Sequence, residues 1–161
     1  FYDRKLGKNL KTVRHALSLD EVRDDFEPTI WQPRDNVDIA QVWFAGIHAD
    51  IGGSYKPDAD GKVLSDIPLQ WLLDEAQIQG LMFDTLLKER MSNAALCVNA
   101  SQHNEYKGKY KILGKRIREI PAQTDIPTFV HDSVKKRYVS GYKSQPVENY
   151  IDEYGLWPPI W

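Results

Sequence analysis

Apolar positions near the start of the chain follow two patterns that are typical of β-strands. Residues 12–19 alternate apolar and polar side chains, with Val13, Leu17 and Leu19 on one side of the alternation. Residues 41–44 form a largely apolar run that ends shortly before a glycine, as buried strands often do. The two patterns predict two strands, each followed by a polar loop.

The strongest helical pattern lies between residues 65 and 80. Pro68 suits the first turn of a helix, and Gly80 suits its C-terminal end. The spacing i, i+3, i+4, i+7 predicts one buried apolar face, made of Leu69, Leu72, Leu73 and Ala76. Weaker helical patterns cover 81–91 and 129–138, whereas the aromatic-rich tail shows no regular element.

Length, composition and charge limit the classes of function that need consideration. A chain of 161 residues with 42% hydrophobic and 27% charged residues is typical of one globular domain. The net charge of −2 gives no electrostatic reason to expect a nucleic-acid partner, and the locally basic residues 107–118 match no established nucleic-acid-binding motif. No stretch approaches the roughly 20 apolar residues of a transmembrane helix.

The cysteine content excludes two further classes of site. Cys97 is the only cysteine, so the chain can form neither an internal disulfide nor a cysteine-based zinc cluster. Its neighbours over residues 94–98 are apolar, which favours a buried and inert thiol over a nucleophile.

The loop after the second predicted strand carries the best candidate for catalysis. His48 and Asp50 follow Gly46 there, and a Gly52-Gly53 pair comes next. A strand can fix such side chains in position while the loop exposes them, so His48 is a candidate general base. The alternative is an ordinary hydrogen-bonding histidine, with Asp50 bonding backbone N–H groups of the turn and the glycines permitting positive φ angles.

A serine-hydrolase triad is compatible with the order of residues along the chain. In α/β-hydrolases the order is Ser, then Asp or Glu, then His, and here Asp20 follows the first strand and His48 the second. Asp20 is therefore a candidate acid, although it could instead cap the next turn or pair with Arg23. No G-x-S-x-G elbow occurs, and Ser54 has a poor context for a nucleophile.

Two other classes of function stay open on the residues alone. His48 and Asp50, together with Asp20 or His15, could bind a divalent metal through nitrogen and oxygen ligands, as in a metal-dependent hydrolase. The aromatic residues and the turn over residues 56–62 are equally compatible with a non-catalytic interaction module.

Three segments in a fixed order resemble a known family. They are HALSLDEVRDDF at 15–26, QVWFAGIHADIGGSY at 41–55 and LSDIPLQWL at 64–72, and HDSVKKR at 131–137 follows them. Together they resemble the C-terminal half of the uncharacterised α/β-hydrolase domain family that includes the phospholipase effectors of bacterial type VI secretion. The resemblance covers most of residues 12–140.

The resemblance implies esterase or phospholipase chemistry on acyl esters through a Ser-Asp-His triad. His48 matches the motif histidine, and Asp20 matches the aspartate of the D-E-x-R segment. The family also has an aspartate after an earlier strand, in a region that would precede Phe1. The elbow serine of the family is absent here, so we expect the nucleophile-bearing half upstream of Phe1.

Taken together, these expectations describe residues 1–161 as the C-terminal part of one α/β-hydrolase domain. We expect the last strands of a mostly parallel sheet plus covering helices, with no cofactor. The implied partners are a lipid or other acyl-ester substrate, the upstream half of the domain, and a secretion-spike or immunity protein. Because the chain begins with Phe1, we expect a processed product or a piece of a longer protein. The resemblance implies a protein that is made in the cytoplasm and secreted into a target cell.

Overall fold

A computed structural model describes residues 4–91, 93–122 and 126–161, and these form an α/β fold around a three-stranded parallel sheet. The strands are β1 (Thr12–Ser18), β2 (Asp38–Phe44) and β3 (Thr128–Val130), in the spatial order β1-β2-β3. Both predicted strands are confirmed, and the parallel sheet with its helices is consistent with part of an α/β-hydrolase fold.

The described residues also form six α-helices. They are α1 (His48–Gly52), α2 (Asp66–Ile78), α3 (Thr85–Met91), α4 (Tyr110–Leu113), α5 (Asp132–Val139) and α6 (Gln145–Tyr154), with 3₁₀ turns at Asp24–Phe26 and Ala94–Asn99. None of the helices in these ranges has the length and apolar content that a membrane span requires. The long helical prediction is confirmed as α2, and α3 forms within the second predicted helix.

The prediction of one helix over 129–138 is only partly right. Residues at its start pair with β2 as strand β3, with Val42 opposite Phe129, and the helix begins only after His131. The tail also contains α6, which the sequence analysis did not predict. That helix has Pro146 in its first turn and Gly155 in a left-handed conformation after its end.

Helices and loops cover both faces of the sheet. Consecutive residues of a strand point to opposite faces, so Trp43 and Phe44 of β2 enter different clusters. Trp43 packs with Val130, Val134 and Val147 on the side of α5 and α6. Phe44 packs on the other side with α2 and the 3₁₀ turn at Ala94–Asn99, where Cys97 is buried as predicted.

The apolar face predicted for α2 is not the face that it buries. Leu69 and Leu72 are 38% and 36% exposed, and the buried residues of the helix are Ile67, Pro68, Trp71 and Glu75. Trp71 packs against Phe44, with 5.6 Å between ring centroids. One turn later, Glu75 accepts a hydrogen bond of 2.5 Å from Nε of Arg14 on β1. These two contacts set the rotation of the helix about its axis.

The parallel arrangement brings the ends of all three strands to one edge of the sheet. The backbone N–H of Leu19 donates to Phe44, and that of Asp20 donates to Gly46, over 3.0 and 3.1 Å. The N–H of His131, just after β3, donates to the carbonyl of Trp43 over 2.9 Å. Ligands of open α/β sheets bind at this carboxyl edge. The candidate residues of the first two loops therefore lie close together.

Candidate active site

His48 is the first residue of α1, and a tight turn after β2 places it there. Gly46 has φ +113° in this turn, and a Cβ added to it would lie 2.6 Å from Cβ of Asp50. The Asp50 carboxylate accepts a hydrogen bond of 3.0 Å from the N–H of Ile47, which precedes the helix. A strand, a glycine turn and a capped helix thus fix the position of the imidazole.

The carboxylate that meets His48 belongs to Glu21. Nδ1 of His48 lies 2.6 Å from Oε2 of Glu21, whose side chain is only 1% exposed, whereas the imidazole is 45% exposed. Nη2 of Arg23 also lies 3.2 Å from Nδ1, but the contact with the Glu21 carboxylate is shorter and a carboxylate only accepts, so we assign the proton of a neutral imidazole to Nδ1 and the lone pair to Nε2. Nε2 forms no hydrogen bond with any part of the chain that the structure describes. The half-exposed imidazole therefore keeps one nitrogen without a described partner.

Glu21 is held ionised by its other partner, Arg23. The guanidinium of Arg23 donates to both carboxylate oxygens over 2.9 and 2.8 Å, and the Arg23 backbone N–H adds a bond of 3.0 Å. Burial by itself raises the pKa of Glu21, but the hydrogen bonds from Arg23 and His48 outweigh it and lower the pKa to about 2. The sequence analysis missed Glu21, although the spacing of a carboxylate and an arginine in D-E-x-R was a usable signal.

Aromatic packing holds the imidazole ring from one face. Phe26, at the end of the 3₁₀ turn, stacks on His48 with 4.5 Å between ring centroids and 10° between planes. The guanidinium of Arg23 lies 4.2 Å from the centroid of the Phe26 ring. His48 is thus fixed by a hydrogen bond at Nδ1 and by a ring stacked on its face.

Asp20, the acid predicted from the sequence, makes its hydrogen bonds elsewhere. It accepts from the N–H of Gly46 at 2.7 Å, Oη of Tyr142 at 2.6 Å, Oγ of Ser144 at 2.9 Å and Nε2 of Gln102 at 3.0 Å. Burial raises the pKa of Asp20, and these bonds offset that effect only in part. No hydrogen bond joins Asp20 to His48 or to Arg23 within the described ranges. Its contacts tie the loop after β1 to the segment before α6.

Asp50 and the glycine pair shape the turn around α1. Asp50 is buried, and besides the N–H of Ile47 it accepts bonds from the N–H of His103 at 3.2 Å and Nδ1 of His103 at 2.7 Å. Gly53 has φ +84° just after the helix. The expectation of positive φ angles at both glycines is wrong for Gly52, which ends α1 and has no positive φ.

The described residues give the metal-hydrolase alternative no set of metal ligands. His48 contacts Glu21, Asp50 contacts His103, and His15 lies on β1 with its Nδ1 3.4 Å from the Gln41 side chain. Among the residues that the structure describes, no group of three or more His, Cys, Asp or Glu side chains is arranged to hold a metal ion.

A serine–histidine contact at the start of α5 has a structural explanation. Oγ of Ser133 lies 2.8 Å from Nδ1 of His131, and the N–H of Ser133 donates to the same nitrogen at the start of α5. Burial lowers the pKa of His131 to about 4. Ser133 is itself buried, so this pair caps a helix and does not present an accessible nucleophile.

Comparisons with known proteins agree with the resemblance expected from the sequence. A 47-residue stretch is 40% identical to an uncharacterised protein of Saccharomyces cerevisiae, YEL023C, and covers 29% of this chain but 7% of that protein. No solved structure matches the chain. Residues 1–75, which include Glu21 and His48, match the sequence model of a protein family. The family is described as type VI secretion system phospholipase effector, Tle1-like, catalytic domain, and the match confirms the suspected family over that segment.

Proposed function

We propose that this chain supplies the acid–base part of a serine esterase or phospholipase that hydrolyses acyl ester bonds of phospholipids. The observation that carries the proposal is the 2.6 Å contact between His48 and buried Glu21 at the carboxyl edge of the sheet, with the imidazole half-exposed and Nε2 bonded to no described residue. We assign His48 as the general base and Glu21, in place of Asp20, as the carboxylate that orients it. We propose a structural role for Asp20.

The proposed mechanism needs a serine from outside the described residues, on the upstream half of the domain. Nε2 of His48 takes the serine proton as the hydroxyl oxygen attacks the ester carbonyl, and it then returns the proton to the departing alcohol. Glu21 stabilises the imidazolium that forms and stays ionised, in keeping with its pKa of about 2. Acid–base catalysis of this kind contributes roughly 10²–10⁴-fold to the rate.

The match of residues 1–75 also supports a biological setting for this activity. We propose an effector that is made in the cytoplasm and delivered by a type VI secretion system into a target cell, where phospholipid is its substrate. A component of the secretion spike and an immunity protein are its proposed protein partners. Neither assignment requires a cofactor.

Fluorophosphonate labelling of the full-length protein tests the mechanism directly. We expect a label on a serine outside residues 1–161, and we expect the His48→Ala and Glu21→Gln variants to label more slowly. Gln70→Ala is the matched control because Gln70 is only partly buried and, among the described residues, its side chain bonds within α2 to Asp74. An unlabelled but folded wild-type protein, or labelling that His48→Ala leaves unchanged, would reject the proposal. Hydrolysis that is lost on chelation would then favour a metal-dependent enzyme.

A further inference from the structure

A cavity of about 430 Å³ lies beside the candidate active site and is not used by the mechanism above. Arg118, Trp43, Glu27 and Pro28 are among the residues that line it. Phe26 links the cavity to the site, because its ring stacks on His48 while its carbonyl accepts a hydrogen bond from Nη2 of Arg118. The volume falls within the range of small-molecule sites.

Arg118 is a buried cation without a counterion in the described part of the chain. Its side chain is only 4% exposed, it forms no salt bridge with the described carboxylates, and its Nε has no hydrogen-bond partner. Burial lowers the pKa of Arg118, which reflects the cost of holding this charge away from water. An anion in the cavity would remove that cost.

The neighbouring carboxylates do not supply this anion. Glu21 is engaged by Arg23 and His48, and Arg116 pairs with Glu27 over 2.9 Å and with Asp24 over 4.0 Å. The remaining glutamates of the lining, Glu119 and Glu153, are exposed.

A second buried donor lines the same cavity. Nε1 of Trp43 is buried and has no hydrogen-bond partner, although tryptophan N–H groups usually find one when they are buried. Two residues that each carry an unsatisfied N–H group, one on β2 and one in the segment before β3, thus line the same cavity. Both groups donate and neither accepts, so the missing partner is an acceptor.

We propose that this cavity binds a phosphate group through Arg118. The planar guanidinium suits the oxygens of phosphate, and a charge-assisted bond to a desolvated guanidinium is stronger than a neutral one. The cavity is larger than a phosphate ion alone needs, which leaves room for the rest of a headgroup. Assignment of the phosphate to a phospholipid headgroup rests on the proposed function, whereas binding of phosphate itself does not.

Calorimetric titration of the full-length protein with inorganic phosphate tests the site without any need for activity. We expect one phosphate per chain, and we expect Arg118→Met to weaken binding about ten- to hundredfold. Arg116→Gln is the matched control, since it removes one charge at the same cavity from a guanidinium that Glu27 already neutralises. If Arg118→Met does not fold, Arg118→Lys replaces it and should also weaken binding, because an ammonium lacks the planar fork.

Two results would overturn the proposed site. One is a wild-type protein that does not bind phosphate, and the other is a folded Arg118 variant that binds it as tightly as wild type. Equal losses of phosphate affinity in Arg118→Met and Arg116→Gln would also reject the specific role of the buried guanidinium. They would indicate that positive charge in general attracts the phosphate.

Kinetics then distinguish a lipid headgroup from free phosphate. If the headgroup occupies the cavity, Arg118→Met should raise KM for phosphatidylglycerol in mixed micelles, with KM for the phosphate-free ester p-nitrophenyl butyrate unchanged. If phosphate binds but both KM values are unchanged, the cavity takes free phosphate, which still supports the site. A protein that binds phosphate but hydrolyses neither ester would reject the proposed function and retain the phosphate site.

Discussion

Replacement of Glu21 by glutamine tests the central pair of the site through stability as well as activity. Glu21→Gln preserves the shape of the side chain but removes the charge that buried Arg23 and His48 share. The amide also offers donors where the carboxylate offered acceptors, so at least one of the four hydrogen bonds at 2.6–3.0 Å is lost. Removal of one partner from a buried ion pair costs about 3–5 kcal/mol.

The pH dependence gives an independent measure of the same interaction. The pKa of Glu21 is about 2 in the folded protein against an ordinary value of 4.5, and this difference corresponds to roughly 3 kcal/mol. Because the folded pKa is the lower one, the stabilisation is fully present above pH 4.5 and is lost as the pH falls towards 2. The Glu21→Gln variant should therefore lose less stability than the wild-type protein as the pH falls through this range.

Urea unfolding of the full-length protein, followed by tryptophan fluorescence at pH 6 and pH 3, measures both effects. Glu27→Gln serves as the control, because Glu27 is in the same segment but is partly exposed and should cost at most about 1 kcal/mol. A Glu21→Gln variant as stable as Glu27→Gln at pH 6, with the wild-type response to acid, would refute the reasoning.

Four further substitutions test other parts of the structure. Asp20→Asn should cost about 1–3 kcal/mol of stability, because an amide donor replaces one of the carboxylate acceptors. Turnover per folded molecule should be preserved. A large fall in that turnover would instead make Asp20 part of the catalytic machinery. Gly46→Ala should cost about 2–4 kcal/mol in urea unfolding, because its Cβ would lie 2.6 Å from Cβ of Asp50 at a positive φ, and a neutral effect would contradict the turn. Leu69→Gln should change the unfolding free energy by less than about 1 kcal/mol, whereas Ile67→Ala should lower it by about 2 kcal/mol or more. A larger loss for Leu69→Gln than for Ile67→Ala would show that α2 buries the face predicted from periodicity.

Local sequence pattern was sufficient to predict β1, β2 and α2, but it did not predict α6, which has 10 residues. Strands β1 and β2 and helix α2 each carry enough residues for alternation or for the 3.6-residue period to be recognised. Strand β3 has three residues, Thr128–Val130, and it exists because its backbone pairs with β2 rather than because of its own periodicity. The buried face of α2 was likewise decided by what it packs against, through Trp71 and Glu75.

The candidate site divides in the same way between sequence and tertiary structure. The strand pattern and Gly46 place His48 just after β2, so its position at this edge of the sheet could be predicted from sequence alone. The carboxylate that contacts His48 could not be predicted, because Asp20 and Glu21 are adjacent in the bent segment after β1 and only their tertiary contacts distinguish them. Packing sends Asp20 towards Tyr142 and Glu21 towards His48. The sequence could also not show that Arg118 forms no salt bridge with the described carboxylates, because that depends on the partners that the fold brings to each carboxylate.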